Sequence, residues 1–566
     1  MVILLLGWLY ISFLCLVWGN LLLDIIAKLF TTRSVYEFSI TCLAGLSAIG
    51  IIAMYLSLFM PLSWKAHAII LVPAAIYCLR KNARIDLKKK ISESFSHISV
   101  WGYSFLLACI VLIALINSYS IVHPDTLTYH GQIIEWFEKY KPVPGLVHLR
   151  SQFGFQSLWF ASQAVFRTDI FKQPSPFFLG GAVLCWYFIF VINKINLFRK
   201  DNKSDTAKNS AVWIGWAILL AYTLISWREV RLAAASASPD FMVALYIFVS
   251  VYLFIQYDPE RAGGNYHFSI IVLFCCTAAS IKFSAAPLLL LPCMSVILFF
   301  RQQKLAGLRI FFISVVFILI PLLIRNIIAT GYPFYPSSLF DVFHYDWKLD
   351  KIRLIQLQHY ITVCARFAIY DHTTENLPFS VWVVTWWKNI SYMDRSFLSS
   401  ILLLMIGNII FLKYAITKFG KKRLIILLTA FTGSLLWFIK APDPRFGTGF
   451  LICLLYILYL PFHEKFQLLL GGLDFKKISR LFMICLFFAI ISYCGYRFFY
   501  FFKKEQVLYP IGMQEFKYKK FYRNGIEMYL PENGMPCGLT PVPCVTDSSK
   551  NFIPRGNTIN DGFKER

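Results

Sequence analysis

The sequence predicts an all-α polytopic membrane protein, and three observations carry that prediction. Hydrophobic residues fill 58% of the 566 positions and charged residues only 15%, a balance that a soluble chain of this size does not need. The apolar residues fall in runs near the ~20-residue length that crosses a bilayer as a helix. Between those runs the basic residues gather in short hinges, where they set topology and meet anionic headgroups. The formal charge of +25 is therefore a topology signal, and nucleic acid is not an expected partner.

Taken in order, spans are expected at about 3–23, 36–60, 65–80, 100–118, 175–193, 211–227, 240–257, 267–281, 284–300, 309–328, 396–413, 423–440, 447–462 and 481–501, about fourteen in all. The first has no basic segment before it and no small-residue cleavage site, so it is expected to be retained rather than cut as a signal peptide. Arg80, Lys81, Arg84, Lys88, Lys89 and Lys90 crowd one hinge, and Arg199, Lys200, Lys203 and Lys208 a second. Lys418, Lys421, Lys422 and Arg423 form a third, and Lys476, Lys477 and Arg480 a fourth. The positive-inside rule sends all four to the cytoplasm. Alternation then places 119–174, 228–239, 329–395, 441–446 and the tail from about 502 on the opposite face. Of the fourteen cysteines, most sit inside apolar runs and read as small core residues. Cys537 and Cys544 stand in a polar tail and are expected to be bridged in an oxidising compartment.

The outer face holds the chemically suggestive residues. His123-Pro124-Asp125-Thr126-Leu127-Thr128-Tyr129-His130 follows the span 100–118. A carboxylate there must be wet, buried in protein, or functional, because facing lipid is too costly. Pro124 and Asp125 also suit an ordinary helix start. Two apolar stripes follow, Ile133, Ile134, Phe137 and Tyr140, then Phe155, Leu158, Trp159, Val165 and Phe166. Both are too short to span and are expected along the interface, with plain packing as the competing reading. The turn Pro142-Val143-Pro144-Gly145 separates them, with His148 and Arg150 beyond.

Asp240 opens the seventh span, where the helix dipole alone would favour it. Lys282 interrupts an apolar stretch, either snorkelling or functional. Arg325-Asn326 and then Gly331-Tyr332-Pro333-Phe334-Tyr335-Pro336 end the tenth span in a rigid, aromatic exit. Trp382, Trp386 and Trp387 suggest an interfacial belt in the loop that follows. In Lys440-Ala441-Pro442-Asp443-Pro444-Arg445-Phe446 two prolines restrict a hairpin that displays Asp443 and Arg445 at the surface.

These loops together, from about residue 96 to 500, resemble the GT-C class of integral-membrane glycosyltransferases, which use polyprenyl-phosphate-linked sugars. More narrowly, the chain is similar to a bacterial family of such proteins with an Asp-x-x-x-Tyr-His motif and a Pro-Cys, Arg-Gly, Gly-Phe tail, here Pro543-Cys544, Arg555-Gly556 and Gly562-Phe563. The resemblance implies a GT-C-like core at 96–501, a three-span module at 1–95 and an extracytoplasmic tail at 502–566. It implies an inverting transferase in the bacterial inner membrane, with a polyprenyl-phosphate-linked sugar as donor and a glycan, lipid or protein as acceptor. Many members pair two carboxylates as Asp-x-Asp or Glu-x-Asp in the first loop. Asp125 has no such neighbour, so a divalent cation is left open rather than required.

The residue types fit that chemistry on their own. Transfer from a lipid phosphate needs a base for the acceptor hydroxyl and cations for the departing phosphate. Asp125 is the candidate base, with His130 or Asp240 assisting. Lys282, Arg325 and Arg445 are the phosphate candidates, with Tyr129, Tyr332 and Asp443 completing the binding set. A polysaccharide polymerase or ligase would use a large late loop, and 329–395 carries His344, Arg366 and His372. A lipid-linked-sugar flippase or other transporter would place charges mid-membrane and repeat its halves, and neither pattern is present.

Overall fold

The computed structural model describes residues 1–30, 36–96, 98–167, 178–200, 215, 219–220, 222–223, 227–258, 263–299, 304–368, 370, 374, 377–414, 420–463, 475–547 and 551–566. Ten of the described helices are long and apolar enough to cross a membrane, and Trp64–Leu79, Asp240–Gln256 and Phe283–Ile297 are shorter apolar helices. The chain is a multi-pass, helical membrane protein. The expected span at 211–227 lies mostly outside the described residues, as does His372.

The first helices pack because small residues let their backbones meet. In α1 (Val2–Phe30) and α2 (Phe38–Phe59), a Cβ on Gly19 would lie 1.9 Å from the Thr41 carbonyl oxygen, and one on Gly45 1.7 Å from that of Cys15. Helices in lipid associate through such close approaches, since apolar burial alone does not drive them together. Then come α3 (Trp64–Leu79), the basic α4 (Lys81–Ser96), α5 (Val100–Asn117), the short α6 (Gly131–Lys139) and α7 (Leu158–Phe166), and α8 (Phe178–Lys200). Further on lie α9 (Trp227–Ala234), α10 (Asp240–Gln256), α11 (Gly264–Ile281), α12 (Leu290–Phe299) and α13 (Lys304–Thr330). α2 packs on α7, α8, α11 and α13 as well as on α1, so residues 1–95 share one core with the rest. The chain continues through α14 (Lys351–Phe367), α15 (Phe379–Asn389), α16 (Tyr392–Ile410), α17 (Lys421–Lys440), α18 (Pro444–Tyr459) and α19 (Phe475–Phe501). On α16 and α19 large apolar side chains such as Leu403, Ile409 and Leu481 are exposed, as a lipid-facing surface requires.

The two ends of the bundle differ. At one end Lys194 pairs with Glu37 at 2.8 Å, Tyr36 meets His267 at 2.6 Å, and Lys422 donates to the Tyr257 carbonyl. The described basic hinges start or finish their helices here. At the other end the amide of Leu62 donates to Phe137, that of Ile3 to Leu508, and the Ser157 hydroxyl to Ile281. The 119–157 loop and the tail meet at this second end. The tail adds two small antiparallel hairpins, β1 (Tyr518–Arg523) with β2 (Ile526–Pro531), and β3 (Phe552–Pro554) with β4 (Phe563–Glu565).

One expectation is corrected here. The stripes of α6 and α7 do not lie along a lipid interface: Ile133, Ile134, Phe137 and Trp159 are fully buried against protein. Gln132, Trp136 and Gln163, off those stripes, are buried too. Helices closed on every side cap the bundle end instead of floating on it.

Candidate active site at one end of the bundle

Three carboxylates and two cations, contributed by four separated segments, form one network. Asp240 sits in the first turn of α10 and accepts a 2.6 Å hydrogen bond from the Lys282 ammonium. Lys282 is extended backbone just after α11, ahead of the 3₁₀ turn Phe283–Leu289; the helix must break there, and the break delivers the ammonium to the bundle end. The ammonium also lies over the Phe446 ring, 3.7 Å from its centroid, a geometry that stabilises a cation. Arg445 opens α18, with its Nε 3.0 Å from the Asp443 carboxylate and its terminal nitrogen 3.4 Å from that of Asp125. Asp240, Val243, Lys282, Arg445 and Phe446 line a narrow crevice of about 10 Å³ between these segments.

The hairpin holding Arg445 is built rather than loose. Asp443 caps α18 by accepting from the Arg445 amide at 3.1 Å, and Pro444 takes the first helical position, where no N–H is needed. Trp386 donates to the Pro442 carbonyl at 2.7 Å, Trp437 to that of Asp443 at 2.7 Å, and Thr362 to that of Lys440 at 2.9 Å. Trp386 is therefore a buried support of the site, not a member of an interfacial belt.

Asp125 is placed by a local departure from α geometry. The Gly131 amide donates to the Thr126 carbonyl five residues back, so 126–130 is a π turn, a feature common at functional sites. The widened turn leaves the Leu127 carbonyl free to accept from the Gly538 amide at 2.8 Å. Gln132 donates to the Thr540 and Gly538 carbonyls at 2.6 and 3.2 Å. Cys537 and Cys544 form the expected disulfide and close this short loop of tail over the motif. Further along, a Cβ on Gly562 would fall 2.2 Å from the Pro144 carbonyl oxygen, so only glycine lets Phe563 donate to Pro144 at 2.9 Å. The tail motif thus clamps the first loop at two points.

The histidines are held neutral. His130 stacks on His123, meets Tyr129 edge-on and lies tilted against Phe160; burial, and then the neighbouring His123, push its pKa well below the usual value. Burial lowers that of His123 too, against the pull of Asp125 and Asp240. Burial and the same two carboxylates raise that of the Tyr129 phenol, keeping it protonated.

Of the residues singled out from sequence, the fold gathers Asp125, Tyr129, His130, Asp240, Lys282, Asp443 and Arg445. It places two elsewhere. Arg325 donates to Gln156 at 3.0 Å and to the Ser57 carbonyl at 3.1 Å, and stacks over Phe137 at 3.7 Å, which makes it a strut between α13, α2 and the first loop. Tyr332 is buried, donating to the Leu349 carbonyl at 2.9 Å. Sequence reasoning passed over His123, Phe446 and Arg150. Arg150 interacts electrostatically with Asp125, Tyr129 and Tyr360, and it stood next to the Pro142–Gly145 turn as the signal. Tyr360 on α14 gave none. Among the described residues no three His, Cys, Asp or Glu side chains are grouped to hold a metal. The three carboxylates instead alternate with Lys282 and Arg445, so the cation left open by the sequence finds no ready ligand set among them.

A family model described as "Domain of unknown function (DUF8201)" matches residues 1–452, a stretch that includes every member of the network and stops before the tail. No curated protein matches the chain, and no solved structure matches it.

Proposed function

We propose, for a chain that belongs to the DUF8201 family, that it is a membrane glycosyltransferase moving a sugar from a polyprenyl-phosphate carrier to an acceptor hydroxyl at the extracytoplasmic face. The observation that carries the reading is the convergence of Asp125, Asp240 and Asp443 with Lys282 and Arg445 at the bundle end opposite the basic hinges. Asp240 serves as the fixed counter-ion of Lys282, bonded at 2.6 Å and 10% exposed. Asp125 is freer: its contact with Arg445 is 3.4 Å, and its side chain is 29% exposed. It is the group suited to take the proton.

In the step so assigned, the acceptor oxygen attacks the anomeric carbon while its proton passes to the Asp125 carboxylate. The bond from that carbon to the phosphate oxygen breaks, and the electron pair leaves with the phosphate. Arg445 offers a planar fork and Lys282 a point charge to the developing anion. Attack from the face opposite the phosphate inverts the anomeric centre. A carrier-borne donor suits a site at the end of a membrane bundle, where the prenyl chain can remain in lipid. A transporter would need charged groups at mid-membrane, whereas this network stands at helix ends. Purified protein in liposomes, supplied with a panel of polyprenyl-phosphate sugars and acceptors, tests the reading. New glycosidic product that requires Asp125 supports it; translocation without product removes it.

A further inference from the structure

The tail carries a surface that the charged network does not use. Between β1 and β2, Asn524 and Gly525 take positive φ, 49° and 79°, the two-residue turn whose twist matches that of its strands. The register it sets pairs Lys520 with Tyr529 and Tyr522 with Glu527. Side chains alternate along a strand, so Ile526 and Met528 go under the hairpin and are buried. Tyr518, Lys520, Tyr522, Glu527 and Tyr529 share the other face, which is open: Tyr518 is 40% and Tyr522 68% exposed. Glu527 gathers that face, accepting from the Tyr529 hydroxyl at 2.6 Å, the Tyr522 hydroxyl at 2.9 Å and Lys520 at 3.0 Å. Tyr518 and Tyr529 meet edge to face at 5.3 Å. Both bonded hydroxyls are drawn back to the sheet, which leaves ring surface to an incoming partner. The hairpin adjoins the candidate site, because Tyr529 exchanges backbone hydrogen bonds with Pro543 and Val545, on either side of Cys544.

We propose that the tyrosine face of this hairpin docks an acidic oligosaccharide. Sugar rings offer C–H surface to aromatic rings, and Tyr518 to Tyr522 cover about 13 Å of strand, room for more than one sugar. The charge favours an acidic chain. Residues 517–531 hold Lys517, Lys519, Lys520 and Arg523 against Glu527 alone, and Lys517 and Lys519 are exposed and form no ion pair among the described residues. Other occupants fit less well. β1 is an edge strand, and its lysines oppose the addition of a strand from a partner protein. Lying in lipid would bury the Glu527 carboxylate, whose pKa the Tyr529, Lys520 and Tyr522 donors hold down to about 2, and an ionised group there is costly. In the transferase reading the docked chain is the acceptor, and the inference rests on that reading for this role. Docking itself is measured without turnover, so either can fail alone.

The test is biolayer interferometry on the full chain in phosphatidylcholine nanodiscs. Hexagalacturonate and a hyaluronan hexasaccharide are titrated as acidic sugars, maltohexaose as a neutral sugar, and hexaglutamate as an acidic chain without sugar rings. The expected result is saturable binding of at least one acidic sugar, at least tenfold tighter than either control. Y522A and Y518A, which remove exposed rings, should each weaken that binding several-fold with an unchanged melting temperature, and K519Q should reduce its salt dependence. A Y522W variant reports contact with the bilayer through quenching by dibrominated lipid. No binding of either acidic sugar, equal binding of maltohexaose or hexaglutamate, unchanged affinity in Y522A and Y518A, or bilayer quenching of Y522W would each overturn the assignment.

Discussion

At Asp125 and Arg445 the proposal is most exposed to single substitutions. Asp125→Asn keeps size and hydrogen bonding but removes the base, and transfer should fall by ~10²–10⁴-fold with little change in melting temperature. Turnover near that of the unmodified protein would take Asp125 out of the mechanism. Arg445→Lys keeps the charge and loses the fork that spans Asp443 and Asp125. A drop of roughly 10²-fold is expected, the scale of removing one donor to a developing anion. A surface ion pair worth ~0–1 kcal/mol would instead leave both rate and stability unchanged. The histidines give a pH signature. Because burial lowers the folded pKa of His130 and His123, the unfolded chain binds more protons than the folded one below about pH 6.5. Their contribution to stability is therefore complete above that value and is lost as pH falls through it. Melting followed from pH 7.5 to 5 should show a decline that His130→Gln flattens. Asp240, Lys282, Asp443 and Arg445 were legible in the sequence because each is a charge at an apolar helix end. Arg325 looked the same and is a strut, since a span-end guanidinium gives no sequence sign of which neighbour it meets.

The π turn, α6 and the disulfide-closed loop act as one element. Gln132→Ala removes two hydrogen bonds to the tail and leaves buried carbonyls unpaired, at about 1–3 kcal/mol each. Faster amide exchange confined to 126–132 and 537–545 is the expected outcome, and Cys544→Ser should reproduce it. Uniform exchange changes across the bundle would show instead that the tail supports the whole fold. The pairing of Cys537 with Cys544 was readable from their place in a polar tail, but their target was not. Nothing in 537–544 announces a bond to Leu127, because that bond depends on a carbonyl released by π geometry some four hundred residues earlier.

For the molecule as a whole, the spans followed from hydropathy because lipid demands long apolar helices, and thirteen of the fourteen expected positions carry a described apolar helix. The packing of residues 1–95 into the common core was not legible, since the contacts of Gly19 and Gly45 are between helices and leave no local signature. Cysteines introduced at Lys88 and Tyr522, both exposed, should label from opposite sides of sealed membrane vesicles, Lys88→Cys from the cytoplasm. Labelling from one side would undo the topology on which the extracytoplasmic site depends. The clamp between the first loop and the tail also has a consequence in time. The partner of Leu127 is Gly538, and a ribosome adding about 5–20 residues per second reaches it roughly 20–80 s after the loop has emerged. During that interval the motif around Asp125 must wait unfinished while the later spans enter the membrane, and a nascent chain stalled short of the tail would be inserted with the Leu127 carbonyl still lacking its Gly538 partner.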